Sequence, residues 1–299
     1  MELFSASGTY FPVLSIQVIE SLDYFSAMIR ITSTTPPNDS EFTVPLVQGG
    51  TSESFMVFMT HFNDNVYVTY LYPKKFYAMY KNLFAGYTGY ATVESLASSV
   101  GFTYNGPKSL KTYWDLPKMS LQKLLKLLTK YASIEGGGAP HFYINLNGNV
   151  QCVDYKYSID KMAPDLVVGT LTSSKMSTEW YSQIPGDFRF IKFFPDGTSV
   201  ENYTVQPNTM FSQVSCYFST RDASNTINQV FSNQFYEYYY STNVAEVSLE
   251  YGGNFGIGTT VALDSNGIPF VVRSRTTTFQ GEESATQELQ IVAGINTKK

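Results

Sequence analysis

Apolar and polar residues alternate in short runs along most of the chain, the period-2 pattern of strands with one covered face. Residues 11–19 and 25–32 carry it with β-branched side chains, and Pro36-Pro37-Asn38-Asp39-Ser40 has the turn chemistry of a loop. Residues 42–47, 54–59 and 66–72 read as three further strands, the last two forming a hairpin about Asn63-Asp64-Asn65. Five short strands at this spacing predict a barrel or half of a sandwich. The pattern resumes after Asp160. Residues 166–171, 188–194, 200–205 and 211–219 read as strands, with a turn at Pro195-Asp196-Gly197. Residues 244–251, 260–264, 269–279 and 286–293 close the chain as a four-strand series, with a hairpin turn at Ser265-Asn266-Gly267.

The texture changes near Pro73. Thr92 can cap a short helix over 93–100, which Gly101 ends in a left-handed conformation. Ser120 caps a stronger helix. Leu121, Leu124, Leu125 and Leu128 fall at i, i+3, i+4 and i+7 and define one buried face, with Lys123, Lys126 and Lys130 on the other side. Gly136-Gly137-Gly138 is expected to stop that helix and to give a flexible turn. Strands over 142–146 and 150–155 follow, joined across Asn147-Gly148. That pair fits a type I′ turn, in which both central residues need positive φ. Residues 231–240, containing Phe235-Tyr236-Glu237-Tyr238-Tyr239-Tyr240, read as an aromatic strand, and residues 223–239 read equally well as a helix.

Composition sharpens this picture in three ways. The 299 residues suffice for two domains or one large all-β unit. Aromatic residues make up 16 %, with 23 Tyr and 22 Phe, which favours pleated, half-buried surfaces and serves both cores and interfaces. Net charge is −5 with only 15 % charged residues, so the basic patch that nucleic-acid binding requires is missing from the sequence. Cys152 and Cys216 stand far apart outside any CxxC pair and read as buried small apolar residues folded in a reducing compartment. The first twenty residues lack the layout of a secretory signal, and no apolar run approaches the roughly 18 residues of a membrane helix.

Candidate chemistry is sparse. His61 and His141 have no metal-ligand spacing and read as strand-edge or packing residues. There is no GxSxG elbow and no SxxK. Gly252-Gly253-Asn254-Phe255-Gly256-Ile257-Gly258 lacks the order of a nucleotide loop and reads as a loop or bulge with unusual backbone angles. The acids Asp160/Asp165 and Glu282/Glu283 would have to face each other across a groove to cleave a glycan, and acids in loops are ordinarily solvated. The Lys123, Lys126 and Lys130 face is either solvated or meets an acidic partner. The 235–240 aromatic cluster is open to three readings: a partner surface, a stacking platform for sugars, or a core element.

Residues 87–101, followed by 119–155, resemble the inserted module of phage baseplate hub proteins. The elements that carry the resemblance are a Thr-led short helix, then Ser120, Leu124, Leu125 and Leu128 of a second helix, an aromatic strand at Phe142, the Asn147-Gly148 turn, and a strand ending near Asp154. The C-terminal part is similar as well: residues 258–263, then Phe270-Val271-Val272, then residues 288–292. Thr259-Thr260 departs from the family, which commonly has an acidic residue before that strand. The hub part of type VI secretion spike proteins is similar too.

The resemblance implies an α+β, mainly β chain: two tube-like antiparallel β-barrel domains with a small α/β insertion. The expected division is 1–80 for the first barrel, 81–160 for the insertion and 161–299 for the second barrel. It implies no enzyme activity, no catalytic, cofactor-binding or metal residues and no cofactor. The implied role is structural. As a homotrimer, the chain would form a pseudo-sixfold ring in a virion tail or baseplate, leaving a lumen for DNA during ejection. Its partners would be itself, the tail tube protein, a spike or tail-tip protein, and tape-measure and baseplate wedge proteins. It would be made in the host cytoplasm. The alternative from the residues alone is a receptor- or glycan-binding tail protein, to which Trp114 and Trp180 lend support.

Overall fold

The computed structural model describes residues 3–5, 8–45, 52–80, 83–160, 166–167, 176–180, 187–193, 199–205, 211–217, 233, 236–237, 240, 243–250, 255–262, 269–280 and 284–293. The chain begins with β1 (Leu3–Ser5), β2 (Tyr10–Phe11), β3 (Ser15–Ser21), β4 (Met28–Ser33), β5 (Glu41–Pro45), β6 (Ser52–Asn63) and β7 (Val66–Pro73). A module follows: α1 (Lys74–Tyr80), β8 (Leu83–Phe84), β9 (Tyr87–Ala91), α2 (Val93–Ser99), β10 (Tyr104–Asn105), β11 (Thr112–Leu116), β12 (Met119–Ser120), α3 (Leu121–Tyr131), β13 (Pro140–Ile144), β14 (Val150–Asp154) and α4 (Tyr155–Asp160). The C-terminal part holds β15 (Leu166–Val167), β16 (Met176–Trp180), β17 (Asp187–Phe193), β18 (Ser199–Val205), β19 (Phe211–Tyr217), β20 (Asn243–Glu250), β21 (Thr260–Ala262), β22 (Pro269–Gln280) and β23 (Ser284–Ala293).

The structure is mainly β with largely antiparallel sheets. One long sheet runs in the order β16-β20-β23-β22-β3-β4-β7-β6-β5-β1-β2. Its centre is the antiparallel pairing of β22 with β3, from Ser274↔Ser21 to Gln280↔Ser15, which joins the two ends of the chain. Among the described residues this pairing is an open path. A separate sheet has the order β18-β17-β19, with β17 parallel to β19. Turns 195–197 and 265–267 lie outside the described residues.

Two cores lie on one face of the long sheet. Ile16, Ile29, Ile31 and Leu71 pack with Leu3, Phe11, Phe42, Val44 and Phe55 in the N-terminal half. Ala245, Val247, Leu249, Leu289, Ile291 and Val272 pack with Phe255, Val261 and Phe270 in the C-terminal half. The β6–β7 hairpin turns at Asp64 and Asn65, both left-handed at φ 49° and 65°. Asp and Asn tolerate that region better than most residues.

In the module, α2 starts as the sequence predicts. The Thr92 side chain accepts the Ser95 N–H and the Ser95 side chain accepts the Thr92 N–H, a reciprocal cap. In α3 the Ser120 side chain accepts the Lys123 N–H, and Leu121, Leu124, Leu125 and Leu128 are all buried. Each such leucine is worth about 2 kcal/mol of burial. Three expectations change here. First, α3 ends at Tyr131, before the glycines, because Ala132 turns extended (ψ 143°) and the chain then pairs with residues 108–110: Leu110 N–H to Ser133 O and Glu135 N–H to Lys108 O. Second, the glycines are not a flexible turn. A Cβ on Gly137 would stand 2.6 Å from Asp154 Oδ2, and one on Gly138 would stand 2.3 Å from the Tyr236 ring. Third, the β13–β14 hairpin is real, but Asn147 is not left-handed, so the turn is not type I′. Asn145 N–H bonds Asn149 O and Gly148 N–H bonds Asn145 O around a three-residue loop, with only Gly148 left-handed at φ 70°.

The sequence reading missed β1, β8 to β12, β16, α1 and α4; the stretch between Pro107 and Pro117, which reads as a loop, holds β11, paired with β9. Helix α1 follows Pro73 without a side-chain cap signal, and α4 is started by Asp154, which the period-2 pattern had absorbed into a strand. Of the ambiguous 223–240 segment, the described residues Asn233, Tyr236, Glu237 and Tyr240 are helical.

Gly138→Ala is expected to destabilise the chain by about 1–3 kcal/mol, since the added methyl overpacks the Tyr236 ring. In a Tyr236→Ala background the penalty should largely vanish. Urea unfolding of the four proteins of this cycle measures the coupling.

Candidate functional site

The alternation within each strand divides the long sheet into two chemically different faces. Opposite the cores, cross-strand rows read Glu246–Gln290–Ser274–Ser21, Ser248–Glu288–Thr276–Ile19 and Thr286–Thr278–Gln17–Arg30–Tyr70. Gln17 Nε2 donates to Thr278 Oγ1 at 3.2 Å, and Arg30 Nη1 donates to Gln17 Oε1 at 2.9 Å, so the last row is a hydrogen-bonded ladder through the β22–β3–β4 centre. These rows hold mostly Ser, Thr and Gln. Among the described side chains of these rows the charges are the exposed carboxylates of Glu246 and Glu288 and one guanidinium, Arg30, held by Gln17.

At one end, this same face becomes apolar. Val244, Val271 and Val292 pack there with Ala139, Tyr143, Val153 and Tyr155 of the module and with Tyr236 and Tyr240. The module therefore caps one end of the face and leaves the polar rows open. A β-bulge in β22 between Val272 and Ser274 makes the transition, because it shifts the alternation by one residue.

The junction between module and sheet is densely tied. Asp154 Oδ1 accepts the N–H of Gly138 and of Tyr157, each at 2.9 Å, and so caps α4 while holding the glycine segment. Asn233 Nδ2 donates to Ala132 O at 2.9 Å, taking a carbonyl freed by the end of α3. His141 Nε2 lies 2.5 Å from Glu237 Oε2, and the His141 ring rests 4.7 Å from that of Tyr155. The Lys156 ammonium lies 5.6 Å from the Tyr236 ring centroid.

The residues singled out from the sequence fall as follows. His141 is a hydrogen-bond partner of Glu237 at the junction, while His61 is exposed on β6. Asp160 pairs with Lys156 at 2.5 Å; Asp165, Glu282 and Glu283 lie outside the described residues. Gly258 is left-handed at φ 86°, and residues 252–254 are outside the description. Lys126 and Lys130 lie over the rings of Phe25 and Tyr131 at 5.1 and 5.2 Å. Trp114 is buried and donates to Ala91 O at 3.1 Å, so it lines no exposed sugar platform. Tyr236 and Tyr240 pack against the module, and Phe235, Tyr238 and Tyr239 lie outside the described residues. Cys152 is a buried free thiol whose pKa burial pushes well up, as a packing residue requires. The polar face itself was missed. Its signal is present in Thr276, Thr278, Glu288 and Gln290, but only the bulge sets which face they share.

In three dimensions, the chain has the fold of phage tail proteins. A tail protein from Neisseria meningitidis MC58 superposes with a TM-score of 0.67 at 12 % identity, covering 97 % of this chain and 95 % of that one. The 43 kDa tail protein of prophage MuSo2 from Shewanella oneidensis gives 0.66 at 12 % identity, with 98 % of both chains covered. The Escherichia coli protein c3393, a component of the type VI secretion system with structural similarity to the T4 bacteriophage tail proteins gp27 and gp5, gives 0.57 at 10 % identity, covering 99 % of this chain and 78 % of that one. No protein-family model and no curated protein matches the sequence.

The junction carries a pH dependence. Burial pushes the Asp154 carboxyl up to about 7 from 3.8, against the Gly138 N–H, His141 and Lys156, which pull it down. The folded chain thus holds this proton more tightly than the unfolded one. The stabilisation is complete below pH 3.8 and is lost as the pH rises through about 7, in all about 4 kcal/mol. Asp154→Asn keeps the Oδ1 acceptor and removes the titration. Denaturant unfolding from pH 5 to pH 8 should show wild type losing about 2–3 kcal/mol relative to this variant.

Proposed function

We propose that the chain is a structural component of a phage tail baseplate hub. In this reading three copies form a pseudo-sixfold ring joining the tail tube to the central spike. Each half of the subunit contributes a tube-like barrel, and the ring leaves a channel for DNA. The chain performs no catalysis: it holds geometry and adapts symmetry. A threefold ring of this kind uses a heterologous contact that closes on itself.

The observation that carries this reading is the long sheet. Both ends of the chain enter it through the β22–β3 pairing, one face holds the cores, and the other is polar, weakly charged and capped at one end by the module. Such a face suits the wall of a passage for DNA. Ser, Thr and Gln stay hydrated, and Glu246 and Glu288 repel phosphate, so no counterions are released and the polymer slides without sticking. The full-length likeness of fold to phage tail proteins supports the same reading.

Negative-stain electron microscopy of the purified chain at high concentration should show three-lobed rings with a central hole; compact monomers or elongated stalks would overturn the reading. Glu246→Lys with Glu288→Lys should create duplex-DNA binding that weakens with salt at a log–log slope of about −2. Wild type should show no such binding in a fluorescence anisotropy titration.

A further inference from the structure

Charge is divided unevenly along the chain. Residues 74–160, which form the module, carry ten lysines against five carboxylates, a net +5. The remaining residues carry ten Lys and Arg against twenty Asp and Glu, a net −10, and the two parts together give the −5 of the whole chain. Residues 1–73 alone hold seven acids and a single cation, Arg30, a net −6. The acids of the module are committed within it. Glu94 Oε1 accepts the Ser109 N–H at 2.8 Å, Asp115 Oδ1 accepts from Thr88 Oγ1 at 3.3 Å, and Asp154 holds Gly138 and Tyr157. Glu135 pairs with Lys108 at 3.2 Å and Asp160 with Lys156 at 2.5 Å. The surplus is lysine. Lys126 and Lys130 lie over the rings of Phe25 and Tyr131. Lys111, Lys118 and Lys123 are exposed and have no ion pair among the described residues.

These three lysines stand along one ribbon. The β9–β11 and β8–β12 ladders keep a single register, from Ala91↔Thr112 through Tyr87↔Leu116 to Leu83↔Ser120, so they are two halves of one antiparallel ribbon. Lys111 precedes one end, Lys118 lies between the ladders, and Lys123 follows the other end in the first turn of α3. Between them, Tyr90 keeps 51 % and Leu83 56 % of its surface in water, and the Tyr90 ring meets that of Tyr113 edge-on at 5.2 Å. The position of Lys123 is unfavourable in the chain by itself. The first turn of α3 holds no acid, and a cation there opposes the helix macrodipole. An acidic surface laid against the ribbon relieves that repulsion.

We propose that this ribbon docks on the acidic N-terminal half, residues 1–73, of a second copy of the chain. The inference rests on the ring reading above and names the contact that would close it. The opposite net charges of the two parts, +5 and −6, draw the module of one copy to the N-terminal half of the next, and like charges disfavour a module-to-module contact. Tyr90 and Leu83 supply apolar area for the centre of the contact, with the lysines at its rim. A basic patch in one place and an acidic one in another make a heterologous contact, the type that closes a ring.

The test uses the full chain in analytical ultracentrifugation. Lys111→Glu with Lys118→Glu and Lys123→Glu should raise the midpoint concentration of association about tenfold or more. Glu53→Lys with Asp64→Lys should do the same, since these two carboxylates of the N-terminal half have no ion pair among the described residues. The chain carrying all five substitutions should associate again, because the attraction returns with its signs exchanged. Trimers that survive the lysine substitutions would overturn this contact and leave the ring standing. Association lost with the lysines and not recovered in the five-fold variant would place their partner elsewhere and would also overturn it. Wild type that stays monomeric at all concentrations would overturn both readings.

Discussion

The pairing of β22 with β3 is the constraint on which the rest of the structure depends. It brings together residues that are 255 positions apart in sequence and makes one sheet from two halves. Its register is held by chemistry as well as by the ladder. Arg275 forms an ion pair with Glu20 directly across the two strands, and both side chains are largely removed from water. A partly buried ion pair adds little net stability, but losing one partner leaves an uncompensated charge. A slip of one residue would set Arg275 opposite Ile19 and part it from Glu20. It would also turn Ile16 and Val18 outward, because side chains alternate with period 2. Arg273 and Asp23, just beyond the paired segment, pin the same register from its end.

The module depends on that frame in turn. Strand β13 docks against the β3–β4 turn through Ala27 N–H to Ile144 O and Ile144 N–H to Phe25 O. The turn exists in this place only because β3 is held by β22. From there Tyr143, Val153 and Tyr155 cover Val271 and Val292, and the helical residues Tyr236 and Tyr240 close over them. Gly137 and Gly138 are required by this closeness, since a side chain at either would collide with Asp154 or Tyr236. The module is thus a rigid cap on one end of the sheet rather than a tethered appendage.

Local chemistry made much of this legible in the sequence. The caps at Thr92 and Ser120, the leucine face of α3 and the turn at Asp64-Asn65 depend on residues within a few positions of one another, and all appear as read. What was not legible depends on distant partners. The end of α3 is decided by pairing with residues 108–110, and the fate of the aromatic segment near position 236 by the glycines of the module. The polar face is the clearest case. Strict alternation from Val272 would place Thr276 and Thr278 on the core side and Arg275 opposite. The bulge at Arg273 reverses this, and nothing in the local sequence announces a bulge. Asn147-Gly148 shows the limit from the other side: the dipeptide marks the hairpin, while the loop length sets the turn.

The distribution of aromatic residues follows from the same geometry. Among the described residues the rings fall in distinct places around a sheet with one face against cores and the other polar. Some fill the cores, as Phe11 and Phe42 do at 5.3 Å. Some fill the junction, where Tyr155 meets Tyr240 edge-on and Tyr236 stacks on Tyr240. Others fill the module core, as Phe102, Trp114 and Phe142 do, and some stand exposed, among them Tyr10, Tyr90 and, on the β6–β7 ribbon, Phe58 and Phe62. An isolated exposed ring needs no explanation. A paired row of them on a strand that β5 flanks only as far as Met56 among the described residues is different, because soluble chains normally blunt such edges with charge or cover. On this ribbon the described tip offers only Asp64 as a charge.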